Sequence, residues 1–142
     1  MNRRFILRSF LVLAGAGAAG AGAVHAQTGK AGGMNSVVIE DVSLEDLKRG
    51  LKDGSIVLVD VRERNEWDAG HIPGAQLNPL STFDVSKLPA AAPGKRIVLQ
   101  CRSGNRSKTA LAQAQASGRA DIKAHFGGGM LGWTAAGEKA AQ

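Results

Sequence analysis

Apolar positions along this chain fall into two patterns. Ile56, Val57, Leu58 and Val59, and later Ile97, Val98 and Leu99, are continuous runs. A strand with one wet face alternates apolar and polar positions, so continuous runs belong to strands covered on both faces, as inside a parallel sheet. They predict central strands over residues 55–61 and 96–100. Elsewhere the spacing is helical. Leu44, Leu47 and Leu51 recur at intervals of three and four behind Ser43, and Asp46 stands three residues after that Ser. This predicts a helix capped by Ser43, weakened by Gly50 and stopped at the Asp53-Gly54 turn.

The remaining elements follow from weaker signals. Val37, Val38 and Ile39 predict a short first strand. Residues 63–69, with Trp67, predict a short helix ended by Gly70. Pro73 and Gly74 make residues 71–75 a rigid turn, because Pro fixes φ and Gly tolerates positive φ. A weak helix is expected over 81–88, a turn over 89–94, and a longer helix from just after Cys101 to about residue 117, stopped by Gly118. A last strand over 122–126, three glycines at 127–129 and a closing helix over 131–136 complete the chain. Alternating short strands and helices specify an α/β fold, a central parallel sheet flanked by helices. In such folds ligands sit beyond the carboxyl ends of the strands.

The first 26 residues read as an export leader. Arg3, Arg4 and Arg8 make a basic start, residues 5–24 are apolar but diluted by Gly and Ala, and Val24-His25-Ala26 offers a cleavage site before Gln27. Asn2-Arg3-Arg4-Phe5-Ile6-Leu7 is similar to a twin-arginine signal, with Sec export as the alternative. Small residues make the stretch a poor permanent membrane span, and no Cys lies near the cleavage site to carry a lipid. The expectation is a periplasmic protein without stable membrane insertion, a flexible segment over 27–36, and one domain over 37–142. The leader also holds three of the 18 Lys and Arg residues, so 15 face 12 Asp and Glu in the remainder. The basic residues are scattered, which argues against nucleic acid as a partner.

The chain has a single cysteine, Cys101. It follows the second central strand and opens Cys101-Arg102-Ser103-Gly104-Asn105-Arg106-Ser107, immediately before a helix. Strand, tight loop, helix points a thiol at backbone amides and a helix N-terminus, beside the guanidinium groups of Arg102 and Arg106. Each of these favours an anion over a neutral group. One cysteine closes no internal disulfide, and a free thiol in an oxidising compartment points to reactivity. No His and Cys are spaced as metal ligands, and neither metal nor cofactor is expected.

Three motifs resemble the rhodanese family of sulfurtransferases, over essentially all of residues 37–137. The first comprises Asp60-Val61-Arg62-Glu63, Glu66-Trp67, Gly70-His71-Ile72-Pro73-Gly74-Ala75 and Asn78. The second is the Cys101 loop, and the third runs from Gly128-Gly129 through Trp133 to Ala136-Gly137. The chain departs from the family pattern at Arg119, where an aromatic is usual. It also departs by one extra residue before Gly129, which leaves Phe126 nearest the glycines.

The resemblance implies two sulfur transfers. Cys101 takes the outer sulfur of a small anionic donor such as thiosulfate, forming a persulfide, and a thiol, cyanide or a sulfur-accepting protein removes it. The amides of residues 102–106 would hold the persulfide. Arg106 is expected to anchor the donor's oxyanion or orient the loop, and Arg102 to attract the donor. Ser103 and Ser107 would shape the loop and cap the helix after it, and Gly104 would let the amides converge; Asn105 completes the loop. Lys108 faces solvent. Asp60 is expected to accept from nearby amides or pair with Arg62, Arg62 and Glu63 to form a supporting ion pair, and His71 to fix its turn rather than act as a base. Trp67, Trp133 and Phe126 are expected to pack. Phosphatases and arsenate reductases place five residues between Cys and Arg. Here four intervene, a cradle better suited to one sulfur atom. Two alternatives stay open: a periplasmic persulfide carrier or binding module with little thiosulfate turnover, and a structural domain with an inert, buried thiol.

Overall fold

The computed structural model describes residues 36–142. The leader read at 1–26, and all of the 27–36 segment except Ser36, lie outside the described residues. Five strands, β1 (Glu40–Asp41), β2 (Ile56–Asp60), β3 (Gln76–Leu77), β4 (Arg96–Gln100) and β5 (Ala124–Phe126), form one sheet in the order β1-β5-β4-β2-β3. Every strand pair is parallel. The helices are α1 (Leu44–Asp53), α2 (Arg64–Ala69), α3 (Asn105–Ala116) and α4 (Gly129–Ala135). This is the expected α/β architecture.

The continuous apolar runs serve two cores. Val59 and Leu99 face Ala110, Leu111 and Ala114 of α3. Leu58 and Val98 face the other way, into a cluster with Leu47 of α1 and Trp133 of α4. Burying one such aliphatic side chain stabilises the fold by roughly 1.5–3 kcal/mol. With helices on both faces, the carboxyl ends of β2 and β4 open at one edge, where the Cys101 loop leaves the sheet.

Three elements differ from expectation. The first strand lies at Glu40–Asp41, while Val37, Val38 and Ile39 are 43–45% exposed. The Gln115 side chain holds the backbone of Val38, accepting from its N–H at 3.0 Å and donating to its carbonyl at 2.7 Å. Pairing with β5 begins only where Glu40 N donates to Lys123 O. The helix expected over 81–88 is two separate 3-10 turns, Leu80–Thr82 and Val85–Lys87. Asn78 grips Asp84 between them, donating from Nδ2 to its carbonyl at 2.9 Å and accepting its N–H at 3.2 Å. β3 is only two residues long and is pinned by pairing with the end of β2. Among the described residues no helix is long and apolar enough to cross a membrane.

Candidate active site

Cys101 follows β4 directly and is 1% exposed. The Gly104 N–H points back at Sγ, 3.1 Å away. Gly104 precedes α3 with φ +91, and a Cβ there would meet the Gly127 carbonyl oxygen at 2.6 Å. The loop can close this tightly only because that position carries no side chain. The helix capping expected of Ser103 and Ser107 is not made: Gly104 is the N-cap residue, no side chain caps α3, the Ser107 hydroxyl meets the Gly104 carbonyl instead, and no acidic residue lies in the first turn. The sulfur stands where a capping oxygen would, and the positive end of the helix favours a negative charge there. A ring of amides from residues 102–106 was expected. Among the described residues, the Gly104 amide is the one that donates to Sγ.

Two further contacts fix the loop backbone. Met130 N donates to Cys101 O at 2.8 Å and Leu131 N to Arg102 O at 3.0 Å, so the start of α4 holds both carbonyls. Gly129 has φ +56, and a Cβ would lie 2.5 Å from each of those oxygens. Gly129 thus acquires a reason, since the start of the last helix is pressed against the Cys101 loop, whereas Gly128 makes room for the Phe126 ring, 3.1 Å from where a Cβ would lie. The extra residue before them does not disturb this, since Phe126 pairs in register with Gln100 and is 3% exposed. Arg119, in place of the usual aromatic, bonds Asp121 and the Pro89 carbonyl.

Among the described residues, Arg106 hydrogen-bonds Glu66 and not Sγ. It forms a two-pronged pair with Glu66, Nη1 to Oε2 at 2.6 Å and Nη2 to Oε1 at 2.7 Å. The hydrogen bonds from Arg106 hold the Glu66 carboxyl down to about 2, against partial burial that pushes it up. The carboxylate in turn raises Arg106. The guanidinium thus already has an anion, and the pair ties the start of α3 to α2. Arg102, Ser103, Asn105 and Lys108 are exposed.

The first motif supports this pair from below. Arg62 turns inward to the buried Asp60 carboxylate, with Nη2 to Oδ2 at 2.8 Å, and Asp60 Oδ1 also accepts the Arg62 N–H. The same guanidinium donates to the carbonyl of Glu66 inside α2 and to that of Gly70 just past its end. The expected Arg62–Glu63 ion pair is absent among the described residues. Successive side chains diverge, and Glu63 instead accepts from the Ser81 N–H and hydroxyl. β2 therefore orients α2, α2 presents Glu66, and Glu66 holds Arg106. Glu66 was legible only as a motif letter; its role needed the third dimension.

His71 keeps to its turn. Its ring stacks on Trp67 with centroids 3.7 Å apart, Nδ1 lies 3.2 Å from Trp67 O, and its backbone exchanges two hydrogen bonds with Ala141. Trp133 is buried, with Nε1 donating to Lys139 O. Ser107 is wholly buried, and its hydroxyl lies 2.9 Å from the Gly104 carbonyl, as a loop-shaping residue should. The same hydroxyl also meets His125, a residue the sequence did not single out.

Fold and site together define a class: parallel α/β domains that seat a thiol in a backbone cradle between a strand end and a helix start. Within that class, the model of the rhodanese-like domain matches residues 43–136, and the chain belongs to that family. An uncharacterized Synechocystis protein, slr1261, is 41% identical over 104 residues, 73% of this chain and 55% of that protein. The chain thus spans about half the length of that relative. The thiosulfate:glutathione sulfurtransferase of Saccharomyces cerevisiae is 31% identical over 113 residues, 70% of this chain and 81% of the yeast protein. Among solved structures, the human single-domain sulfurtransferase TSTD1 superposes with a TM-score of 0.56 at 29% identity, covering 67% of this chain and 95% of that one.

Proposed function

We propose that this chain is a sulfurtransferase that carries sulfane sulfur on Cys101. The observation that carries the reading is the Gly104 amide, 3.1 Å from a buried Sγ at an otherwise uncapped helix start. Such a position stabilises a thiolate before the reaction and a persulfide anion after it, with little reorganisation between them. The Cys101 thiolate attacks the outer sulfur of thiosulfate. The donor's S–S bond breaks, sulfite leaves with the bonding pair, and the new terminal sulfur bears the negative charge. A thiol or cyanide then attacks that sulfur and returns Cys101 to the thiolate. Exposed Arg102 draws the anionic donor in, while Arg106, already paired, keeps the loop in shape. The yeast relative's use of thiosulfate and glutathione supports this donor and acceptor class. With the basic leader removed, the protein works in the periplasm.

A second reading, a persulfide carrier that turns over thiosulfate poorly, is favoured by the 1% exposure of Cys101, which narrows donor access. Steady-state thiocyanate formation from thiosulfate and cyanide, repeated with glutathione as acceptor, separates the two. An enzyme gives sustained turnover that Cys101→Ser abolishes. A carrier gives one equivalent and then stalls, and no product at all from thiosulfate or from an organic persulfide contradicts both.

A further inference from the structure

His125 plays no part in the reading above, yet it lies directly beneath the loop. It sits in β5 opposite Leu99 of β4 and is 2% exposed. Its Nδ1 is 2.9 Å from Ser107 Oγ, and Ser107 Oγ is 3.7 Å from Cys101 Sγ, within reach of a sulfur hydrogen bond. On the far side of the ring, Nε2 faces Asp41 Oδ1 at 3.9 Å. Asp41 belongs to edge strand β1, and its side chain is 71% exposed. Sulfur, hydroxyl, imidazole and carboxylate thus form a line from the buried thiol to the surface.

The line answers a question that burial raises. Cys101 is only 1% exposed, so little water meets its proton at rest, and yet sulfur transfer needs the thiolate. A serine hydroxyl has one proton to give and lone pairs to accept with. With the imidazole neutral and Nε2–H turned to Asp41, Nδ1 is bare and can take the Ser107 proton, while Oγ can accept from S–H. In the competing arrangement Ser107 gives its proton to the Gly104 carbonyl, 2.9 Å away, and the line is broken.

We infer that His125 stores the Cys101 proton, receiving it through Ser107. The S–H bond breaks as a new O–H bond forms on Ser107, and the original Ser107 O–H breaks as an N–H forms on Nδ1. The electron pair stays on sulfur. Ser107 ends as it began, and the imidazolium holds Nε2–H toward Asp41. His125 acts through Ser107 and not on the sulfur, so it is a positioning residue. The inference rests on the reading of Cys101 as a thiolate sulfur carrier.

The charges around the ring suit a transient cation. Asp41 on β1 favours the imidazolium, Lys108 on α3 opposes it, and Cys101 beyond β4 becomes its counter-charge. Burial, the largest influence, pushes His125 below the usual histidine range, and Lys108 pushes the same way against Asp41. Burial thus disfavours the imidazolium, and an anionic sulfur beyond Ser107 supplies the counter-charge that favours it.

The test is the pH dependence of Cys101 alkylation by iodoacetamide in the full chain, followed by intact mass, together with the NMR titration of the His125 ring. Ser107→Ala and His125→Asn should each raise the midpoint of alkylation by about one pH unit, a tenfold loss of thiolate below it. The double variant should go no further than either single. In Cys101→Ser, which removes the thiol and keeps Ser107 and His125, the His125 titration should shift from its wild-type midpoint. An unchanged alkylation midpoint in the folded variants, or an identical His125 titration with and without the thiol, would overturn the relay. Thiosulfate-derived sulfur on the wild-type protein, measured in parallel, keeps the two claims apart. Sulfur uptake with uncoupled titrations refutes the relay alone, and coupled titrations without sulfur uptake refute the carrier reading and leave the relay standing.

Discussion

Helices α1 and α3 both begin at the end of a strand, and they begin in opposite ways. α1 is capped by Ser43, whose hydroxyl accepts the Asp46 N–H at 3.1 Å, and Glu45 and Asp46 place negative charge in its first turn. α3 has a left-handed glycine in place of a cap, no acid in its first turn, and Arg106 and Lys108 there instead. By propensity alone α3 has the poorer start, since cations oppose the macrodipole at an N-terminus. The Cys101 sulfur, facing the Gly104 N–H, takes the place of the missing cap, and the Arg106 charge is met by Glu66 from a neighbouring helix. One helix start is built for stability. The other leaves its capping position to the sulfur proposed above as the sulfur carrier.

This contrast can be broken from either side. The largest effect is expected from Gly129→Ala. The added methyl would collide with the Cys101 and Arg102 carbonyls in a backbone conformation with φ +56, so the cradle must shift. Sulfur-transfer rate should fall at least about tenfold and stability by about 1–3 kcal/mol, read by thiocyanate assay and chemical unfolding. Wild-type activity in this variant would mean that the fit of α4 against the loop is irrelevant.

Glu66→Gln comes next. Loss of the carboxylate leaves Arg106 without its anion, and the loop should lose activity several-fold while Cys101 remains in place. The pair also predicts a pH signature. Glu66 is held at about 2 in the fold, below its ordinary 4.5, so its contribution is complete above about 4.5 and is lost as pH falls toward 2. Acid unfolding of the variant should be less steep over that window, and identical curves would show that the pair contributes nothing to stability.

Arg102→Ala should weaken donor use about two- to fivefold through KM with little change in kcat, and added salt should erase the difference, as for an exposed charge. Equal KM values at low salt would remove Arg102 from the donor's path. Ser43→Ala should have the smallest consequence for chemistry: about 1 kcal/mol less stability with unchanged transfer rate. An activity loss there would mean that the two helix starts are coupled.

The parts legible in the sequence were those fixed by local chemistry. Two apolar runs gave the central strands, Ser43 and Gly54 bounded α1, and the loop from Cys101 to Ser107 announced itself by composition. The parts not legible depend on contacts far along the chain. Val37 to Ile39 have strand-forming side chains, but Gln115 occupies the Val38 backbone. Residues 81–88 have some helical spacing, but Asn78 fixes Asp84 outside a helix. Arg106 looked like a donor anchor because nothing nearby in sequence neutralises it; Glu66 stands 40 residues earlier. His125 is a lone histidine in a short apolar strand, and only the register of β5 beside β4 brings it under Ser107.

The central claim is that the sulfur capping α3 accepts and releases a second sulfur. Intact-protein mass after mixing with thiosulfate, and again after cyanide, tests it most directly, with Cys101→Ser in parallel. The account predicts a gain of about 32 Da, one sulfur atom, that cyanide removes and the variant never shows. An adduct retained by Cys101→Ser, or no adduct on the wild-type protein from thiosulfate or an organic persulfide, would contradict it.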